Sequence, residues 1–169
     1  FINKSYFHLK PFPPKKNVQV TTIDPHKFPT YSRVLSYLKL FLFLFQYNLG
    51  WLKYIFPLKL KSSLIIFDRY FDDLLVDNKR YRYGGSKRIA KLVLSFIPKP
   101  DIYFILTAEA QIIHPRKKEV AFEELVRQID GYRNLAEGER YVNIDVNRAP
   151  KEIVEEITNI LMKKVNERY

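Results

Sequence analysis

The run Leu64-Ile65-Ile66-Phe67 is wholly apolar and closes directly on Asp68-Arg69-Tyr70. A strand with one wet face alternates polar and apolar residues, whereas one without alternation needs cover on both faces, the situation of a parallel sheet. Asp101-Ile102-Tyr103-Phe104-Ile105-Leu106 has the same character, and Tyr141-Val142-Asn143-Ile144-Asp145 and the opening stretch 1–9 also read as strands. Between them lie helical stretches. One runs from about Val34 to Phe56, with a kink expected near Gly50 and a stop at Pro57. Another starts at the cap Ser86 and runs to about Phe96. A third covers 119–136, where Phe122, Leu125, Val126, Ile129 and Tyr132 recur at helical spacing. Pro150 opens the last. Strands alternating with helices predict a three-layer α/β/α domain with parallel strands near 2–8, 64–68, 101–107 and 141–145. Ligands of such folds sit at the carboxyl ends of the strands.

Composition narrows the chemistry. The chain has 169 residues, one domain's worth, and 47% hydrophobic residues, enough for a core. It has no cysteine and three histidines, which excludes disulfides, thiol catalysis and a Cys-based zinc site. The net charge of +11 is concentrated at one end, since residues 1–63 hold ten Lys/Arg against the single acid Asp24. A basic half of this kind suits an anionic partner: a phosphorylated small molecule, a nucleic acid or an anionic membrane surface. The uncharged run between Lys39 and Lys53 falls short of the roughly 20 apolar residues that a spanning helix needs. It reads as a buried or groove-lining helix, with a peripheral membrane contact or a homodimer interface as the alternatives. No signal peptide is visible, so a cytoplasmic location is expected. The chain opens on Phe1 rather than Met, and the true N-terminus is expected upstream.

Asp68-Arg69 offers a carboxylate able to hold a Mg²⁺-bound water and a planar fork matched to phosphate. The bland alternative is a helix cap with a surface ion pair. Arg116-Lys117-Lys118-Glu119 is a cationic cluster suited to closing over phosphates, or else a solvated charge run at a helix start. Gly84-Gly85-Ser86-Lys87 lacks the glycine spacing of a phosphate loop and reads as a turn leading to a helix cap.

The ordered set of Asp68-Arg69-Tyr70, Pro100-Asp101, Arg116-Lys117-Lys118-Glu119, Phe122 with Tyr132, and Ile144-Asp145 with Pro150 resembles thymidylate kinase, over roughly residues 64–160. His8-Leu9-Lys10-Pro11 stands where that family has an Arg-Glu-Pro-type strand end. The dipeptide Pro25-His26, the aromatic-rich helix and the stretch Val76 to Gly85 look like the thymidylate-kinase-like members of the P-loop nucleoside monophosphate kinase superfamily. The resemblance implies phosphoryl transfer from ATP, a nucleotide triphosphate donor, to a nucleotide or related small-molecule acceptor. It implies a catalytic set of Asp68 (organising Mg²⁺, through water), Arg69 on the acceptor's phosphate and Arg116 as the lid cation. The lid-like segment spans about 109–121. Lys117, Asn147 and Arg148 are implied for the donor nucleotide, and His8, Lys10, Asp72, Arg80 and Arg82 for the acceptor. Asp72, Asp73 and Asp77 suit a hydroxylated acceptor, or they balance Lys79, Arg80 and Arg82.

Two departures qualify this. No G-x-x-x-x-G-K-[ST] occurs, and Phe71-Asp72-Asp73-Leu74-Leu75-Val76-Asp77 replaces the Ser-containing helix that comes after the family's Asp-Arg-Tyr. If His8 to Pro11 ends the family's second strand, then the central first strand and the phosphate loop lie upstream. Residues 1–169 would then be one N-terminally incomplete domain, inactive alone, in which the strands at 64–68 and 101–107 do not pair directly. Two alternatives stay open: a kinase-like module without catalysis, and a nucleic-acid-binding domain using Arg80-Tyr81-Arg82-Tyr83.

Overall fold

A computed structural model describes residues 3–13, 26, 28–116, 121–136, 138 and 140–167. The strands are β1 (Lys4–His8), β2 (Leu64–Asp68), β3 (Tyr103–Thr107) and β4 (Tyr141–Asp145). β1 and β2 pair in parallel, with Lys4 opposite Leu64 and His8 opposite Asp68. β3 and β4 also pair in parallel, with Tyr103 opposite Tyr141 and Thr107 opposite Asp145. Among the described residues these form two two-stranded sheets, one in each of the two compact units Phe1–Lys99 and Pro100–Tyr169. The chain is therefore α/β with parallel sheets, consistent with a P-loop-kinase-like fold.

The helices are α1 (Arg33–Gly50), α2 (Phe56–Leu60), α3 (Asp73–Val76), α4 (Lys87–Leu94), α5 (Ala110–Arg116), α6 (Phe122–Leu135) and α7 (Pro150–Asn166). α1 starts at Ser32, whose hydroxyl accepts from Leu35 N, and buries Ser36, Leu40, Phe43, Tyr47 and Gly50 on one face. It does not stop at Pro57. A π-helical turn, Trp51–Ile55, comes after Gly50, and the helix resumes through Pro57 to Leu60. The π turn resets the ladder just before the proline, so Pro57 falls in the first turn of the resumed helix, where its missing N–H has no intrahelical partner to lose. Among the described residues, no helix is long and apolar enough to cross a membrane.

In the first unit, Phe7 stacks on Phe67 at 5.2 Å, and Tyr47 meets Tyr70 and Phe71 edge-on at 5.0 and 5.9 Å. Phe71, Leu74 and Tyr83 are at most 2% exposed. In the second unit, Ile144 is fully buried and Tyr103 stacks on Tyr141 at 4.5 Å. The strands are less enclosed than their unbroken apolar runs predict, with Ile66 and Leu106 exposed. Each strand of a two-stranded sheet has a partner on one side only, which leaves side chains along the open side reachable by water.

The Gly84-Gly85-Ser86 segment is the expected turn into a cap. Ser86 Oγ accepts from Arg88 N at 3.3 Å, and Gly84 N donates to Ser36 Oγ at 2.9 Å. The backbone is so close here that a Cβ on Gly84 would lie 2.4 Å from Tyr31 O. Gly84→Ala is expected to cost about 1–3 kcal/mol through this overpacking, read from the urea-denaturation midpoint. A midpoint unchanged from wild type would show that Tyr31 and α1 yield without strain.

Candidate functional site

Parallel pairing at this register brings β1 and β2 to an end at the same level, so the residues just beyond them share one rim. His8 faces Asp68, and the backbone continues the ladder by one further bond, Leu9 N to Asp68 O at 3.1 Å. Leu9 and Arg69 then both adopt the left-handed conformation, with φ of 61° and 64°. Non-glycine residues hold that conformation only where their surroundings over-determine it, and such positions cluster at functional sites. The two chains turn away from the sheet at the same point.

Asp68 is half exposed, and its Oδ2 accepts from Tyr6 Oη at 2.9 Å and lies 3.1 Å from His8 Nδ1. An ionised carboxylate only accepts, so His8 Nδ1 carries the proton in this contact. Partial burial pushes the Asp68 carboxyl up, but the hydrogen bonds of Tyr6 and His8 and the charges of His8 and Arg69 outweigh it. The net position is below the ordinary carboxylate value. Oδ1 makes no hydrogen bond to a described residue. A carboxylate kept ionised, with one oxygen open at a strand end, has the donor chemistry to hold a Mg²⁺-bound water.

Three cations gather behind this rim. Lys10 Nζ lies 5.0 Å from the centre of the Phe43 ring, and Lys39 Nζ lies 5.6 Å from that ring and 5.1 Å from Tyr31. The Arg82 guanidinium covers Tyr31 at 4.2 Å and Phe28 at 5.4 Å. Lys39 donates to Tyr81 O at 2.6 Å and Arg82 donates from Nε to Pro29 O at 2.9 Å. Among the described residues none of the three has an ion pair. Burial holds Lys10 below the ordinary lysine value, and burial with the charges of Lys10 and Arg82 does the same to Lys39. Half-buried cations that repel one another and rest on ring faces form a place prepared for an anion. Sequence reasoning misses Lys39, which stands inside an apolar helix and there serves only to bound the uncharged run. Its place one turn before Phe43 is the signal that pairs the two on one face.

The acids nearby are committed elsewhere. Asp73 accepts from Arg69 Nη1 at 3.1 Å and from Tyr81 Oη at 3.0 Å. Asp77, 1% exposed, accepts from Arg80 Nε at 3.0 Å and from Arg80 N at 3.1 Å, with His26 Nε2 at 3.2 Å. The His26 motif and the Val76–Gly85 stretch, far apart in sequence, thus meet at Asp77, while Pro25 lies outside the described residues. Arg80 is held by this pair, and Asp72 is buried at 6% exposure. Tyr83 is buried with its hydroxyl donating to Ser86 O at 2.9 Å, so neither it nor Tyr81 is offered as a stacking platform for bases.

The other predicted residues belong to the second unit. Arg116 ends α5, and Lys117 to Val120 lie outside the described residues. After β4, Asn147 N donates to Asp145 Oδ1 at 2.9 Å. Arg148 donates to Asp145 O at 3.1 Å and pairs with Glu156 of α7.

No family model matches the chain. It is 25% identical over 127 residues to the probable thymidylate kinase 1 of Saccharolobus solfataricus, covering 71% of this chain and 64% of that protein. It is 26% identical over 114 residues to the probable thymidylate kinase of Pyrobaculum aerophilum, covering 62% of this chain and 57% of that protein. The chain is similar to both at low identity. It spans a little under two thirds of the length of these curated relatives.

The Asp68 geometry makes a pH prediction. Its folded pKa is depressed, so its contribution to stability is present above the unfolded carboxylate value of about 3.9 and is lost as pH falls through the folded value. Asp68→Asn is expected to flatten the acid limb of the stability curve in urea denaturation. An identical acid limb in the variant would show that Tyr6 and His8 do not hold the carboxylate.

Proposed function

We propose that the protein catalyses ATP-dependent phosphoryl transfer to a nucleotide or related small-molecule acceptor. The observation that most supports this is the shared rim of β1 and β2, where an ionised Asp68 stands beside three cations that have no counter-ion among the described residues. The two probable thymidylate kinases point the same way. Phosphoryl transfer leaves little covalent work to the protein and depends on positioning and on neutralising phosphate charge.

In this reading Asp68 holds Mg²⁺ through water, using the oxygen that Tyr6 and His8 leave open. The bound ion neutralises charge on the donor's phosphates. Arg69, kept in place by Asp73 and by its left-handed backbone, presents its fork to the acceptor's phosphate. Lys10, Lys39 and Arg82, resting on the rings of Phe43 and Tyr31, hold the acceptor's anionic part, and His8 keeps Asp68 ionised. Asp72 and Arg80 shape the floor of the acceptor site, where Asp77 fixes Arg80. Arg116, Lys117, Asn147 and Arg148 serve the donor nucleotide, with 109–121 as the lid of a single thymidylate-kinase-like domain. No G-x-x-x-x-G-K-[ST] occurs in residues 1–169, and the reading assigns the phosphate-gripping loop to sequence outside them. Residues 1–169 alone are then expected to transfer no phosphate.

The test is ATP-dependent phosphorylation of nucleoside monophosphates and related acceptors by the complete protein. Asp68→Asn is expected to lower kcat about a hundredfold while nucleotide affinity changes little. Lys39→Met, removing one charge-assisted contact, is expected to raise the acceptor KM roughly ten- to a hundredfold with a smaller change in kcat. Undiminished turnover in Asp68→Asn would reduce Asp68 to a structural residue. Transfer by residues 1–169 alone would overturn the assignment of the loop, and a degenerate loop in the complete protein would favour the inactive module.

A further inference from the structure

The rod formed by α1, the π turn and α2 changes phase where it passes β1. On α1 the core positions are Leu40, Phe43, Tyr47 and Gly50, three or four residues apart. A regular helix would next bury Lys53 or Tyr54. The π turn widens the step, so Ile55 takes the core position at 5% exposure, and Lys53 and Tyr54 are displaced to the side. Single π turns inside α-helices recur at functional sites. Lys53 and Tyr54 border a pocket of about 390 Å³ between the rod and β1, walled by Phe7, Pro13, Pro57 and Leu58. That volume lies within the range of small-molecule sites, roughly 300–1,000 Å³.

The walls are held from outside the pocket. Pro11 packs so closely on the rod that a Cβ on Gly50 would lie 2.6 Å from its carbonyl oxygen, and Phe12 meets Tyr54 edge-on at 5.6 Å. These contacts fix the segment that presents Pro13. Chemistry then selects the ligand. Lys53 is the one charged residue of the lining, its Nζ 5.4 Å from the centre of the Tyr54 ring, and no described carboxylate pairs with it. β1 adds polar groups. Asn3 O accepts from Leu64 N and Leu9 N donates to Asp68 O, so alternate residues bond to β2, and the N–H and C=O of Tyr6 turn to the open edge. One cation beside a free edge N–H suits a single carboxylate, and the apolar walls suit the body that carries it. Phe7 points to the opposite face of the sheet from Tyr6 and His8, so a ligand against Phe7 leaves the Asp68 rim open.

We propose that the pocket between β1 and the π turn binds a small apolar organic acid, with Lys53 on its carboxylate and Phe7, Pro13, Pro57 and Leu58 around its body. The site does not depend on the kinase reading. The experiment is calorimetric titration of the full chain with 1-naphthoate, against naphthalene-1-methanol and acetate. Naphthoate is expected to bind saturably, with a single site per chain. The alcohol keeps the rings without the charge and is expected to bind at least about tenfold more weakly. Acetate keeps the charge without the rings and is expected to show no saturation. Lys53→Met, at an exposed position, is expected to weaken naphthoate binding at least about tenfold with the denaturation midpoint unchanged. Leu58→Trp fills the pocket and is expected to abolish binding. Phe41→Ser, on the solvent face of α1, reports adsorption to that face and is expected to leave binding unchanged. No saturable binding by the folded wild type, equal affinity for the alcohol, full binding in Lys53→Met, or loss of binding in Phe41→Ser would overturn the proposal.

Discussion

The parallel register that sets His8 opposite Asp68 is the constraint on which the candidate site rests. In a parallel pair both strands run the same way, so the segments beyond their carboxyl ends leave the sheet on the same side. Those segments are Leu9-Lys10 and Arg69-Tyr70, and Leu9 and Arg69 each break into left-handed backbone at the first step. A slip of one residue would turn Phe7 and Phe67 out of their stack and carry His8 away from Asp68. The aromatic pair in the sheet therefore fixes the position of the polar pair at its end. The tyrosines behind the rim extend that lock, since Tyr47 reaches from α1 to donate to Leu9 O and Tyr70 donates to Pro98 O.

Much of this is legible in the sequence because it rests on short-range patterns. The apolar run Leu64–Phe67 and the pattern Tyr141–Asp145 mark their strands to the residue, and the strand at 103–107 begins two residues later than the expected start at the exposed Asp101. Ser86 is readable as a cap and Gly84-Gly85 as the turn before it. The illegible features depend on contacts far apart in the chain. The proline at 57 signals a stop, and only the π turn preceding it lets the helix run on. Ser36 looks like a weak helix former, yet its buried hydroxyl accepts from Gly84 N and so ties α1 to the glycine turn. Lys39 looks like a boundary marker because its neighbours in space, Lys10, Tyr81 and Arg82, come from segments that sequence spacing cannot bring together.

The distribution of charge inside the first unit separates a structural set from one that awaits a ligand. Asp73 and Asp77 are almost fully buried, and each holds an arginine three or four residues away in sequence, together with a tyrosine or a histidine. Buried charges paired in this way are costly to break, because removing one partner strands the other. Lys10, Lys39 and Arg82 are treated differently. Aromatic faces accompany them in place of carboxylates, and a ring's quadrupole compensates only part of a half-buried charge. An anion entering this place offsets the remaining repulsion, so its binding is favoured most where the unliganded protein is least satisfied.

The two faces of α1 account together for its composition. Toward the core, Lys39 lies over the Phe43 ring and Tyr47 donates to Leu9 O at the rim, so a carboxylate among them would pair with Lys39. Toward solvent, Leu38, Phe41, Leu42, Phe45, Leu49 and Leu52 are exposed. α1 carries no Asp or Glu in a chain that has 18 of them. The basic residues of the rod divide in the same way: Lys39 is half-buried against the Phe43 ring, whereas Lys53 and Lys59 are exposed.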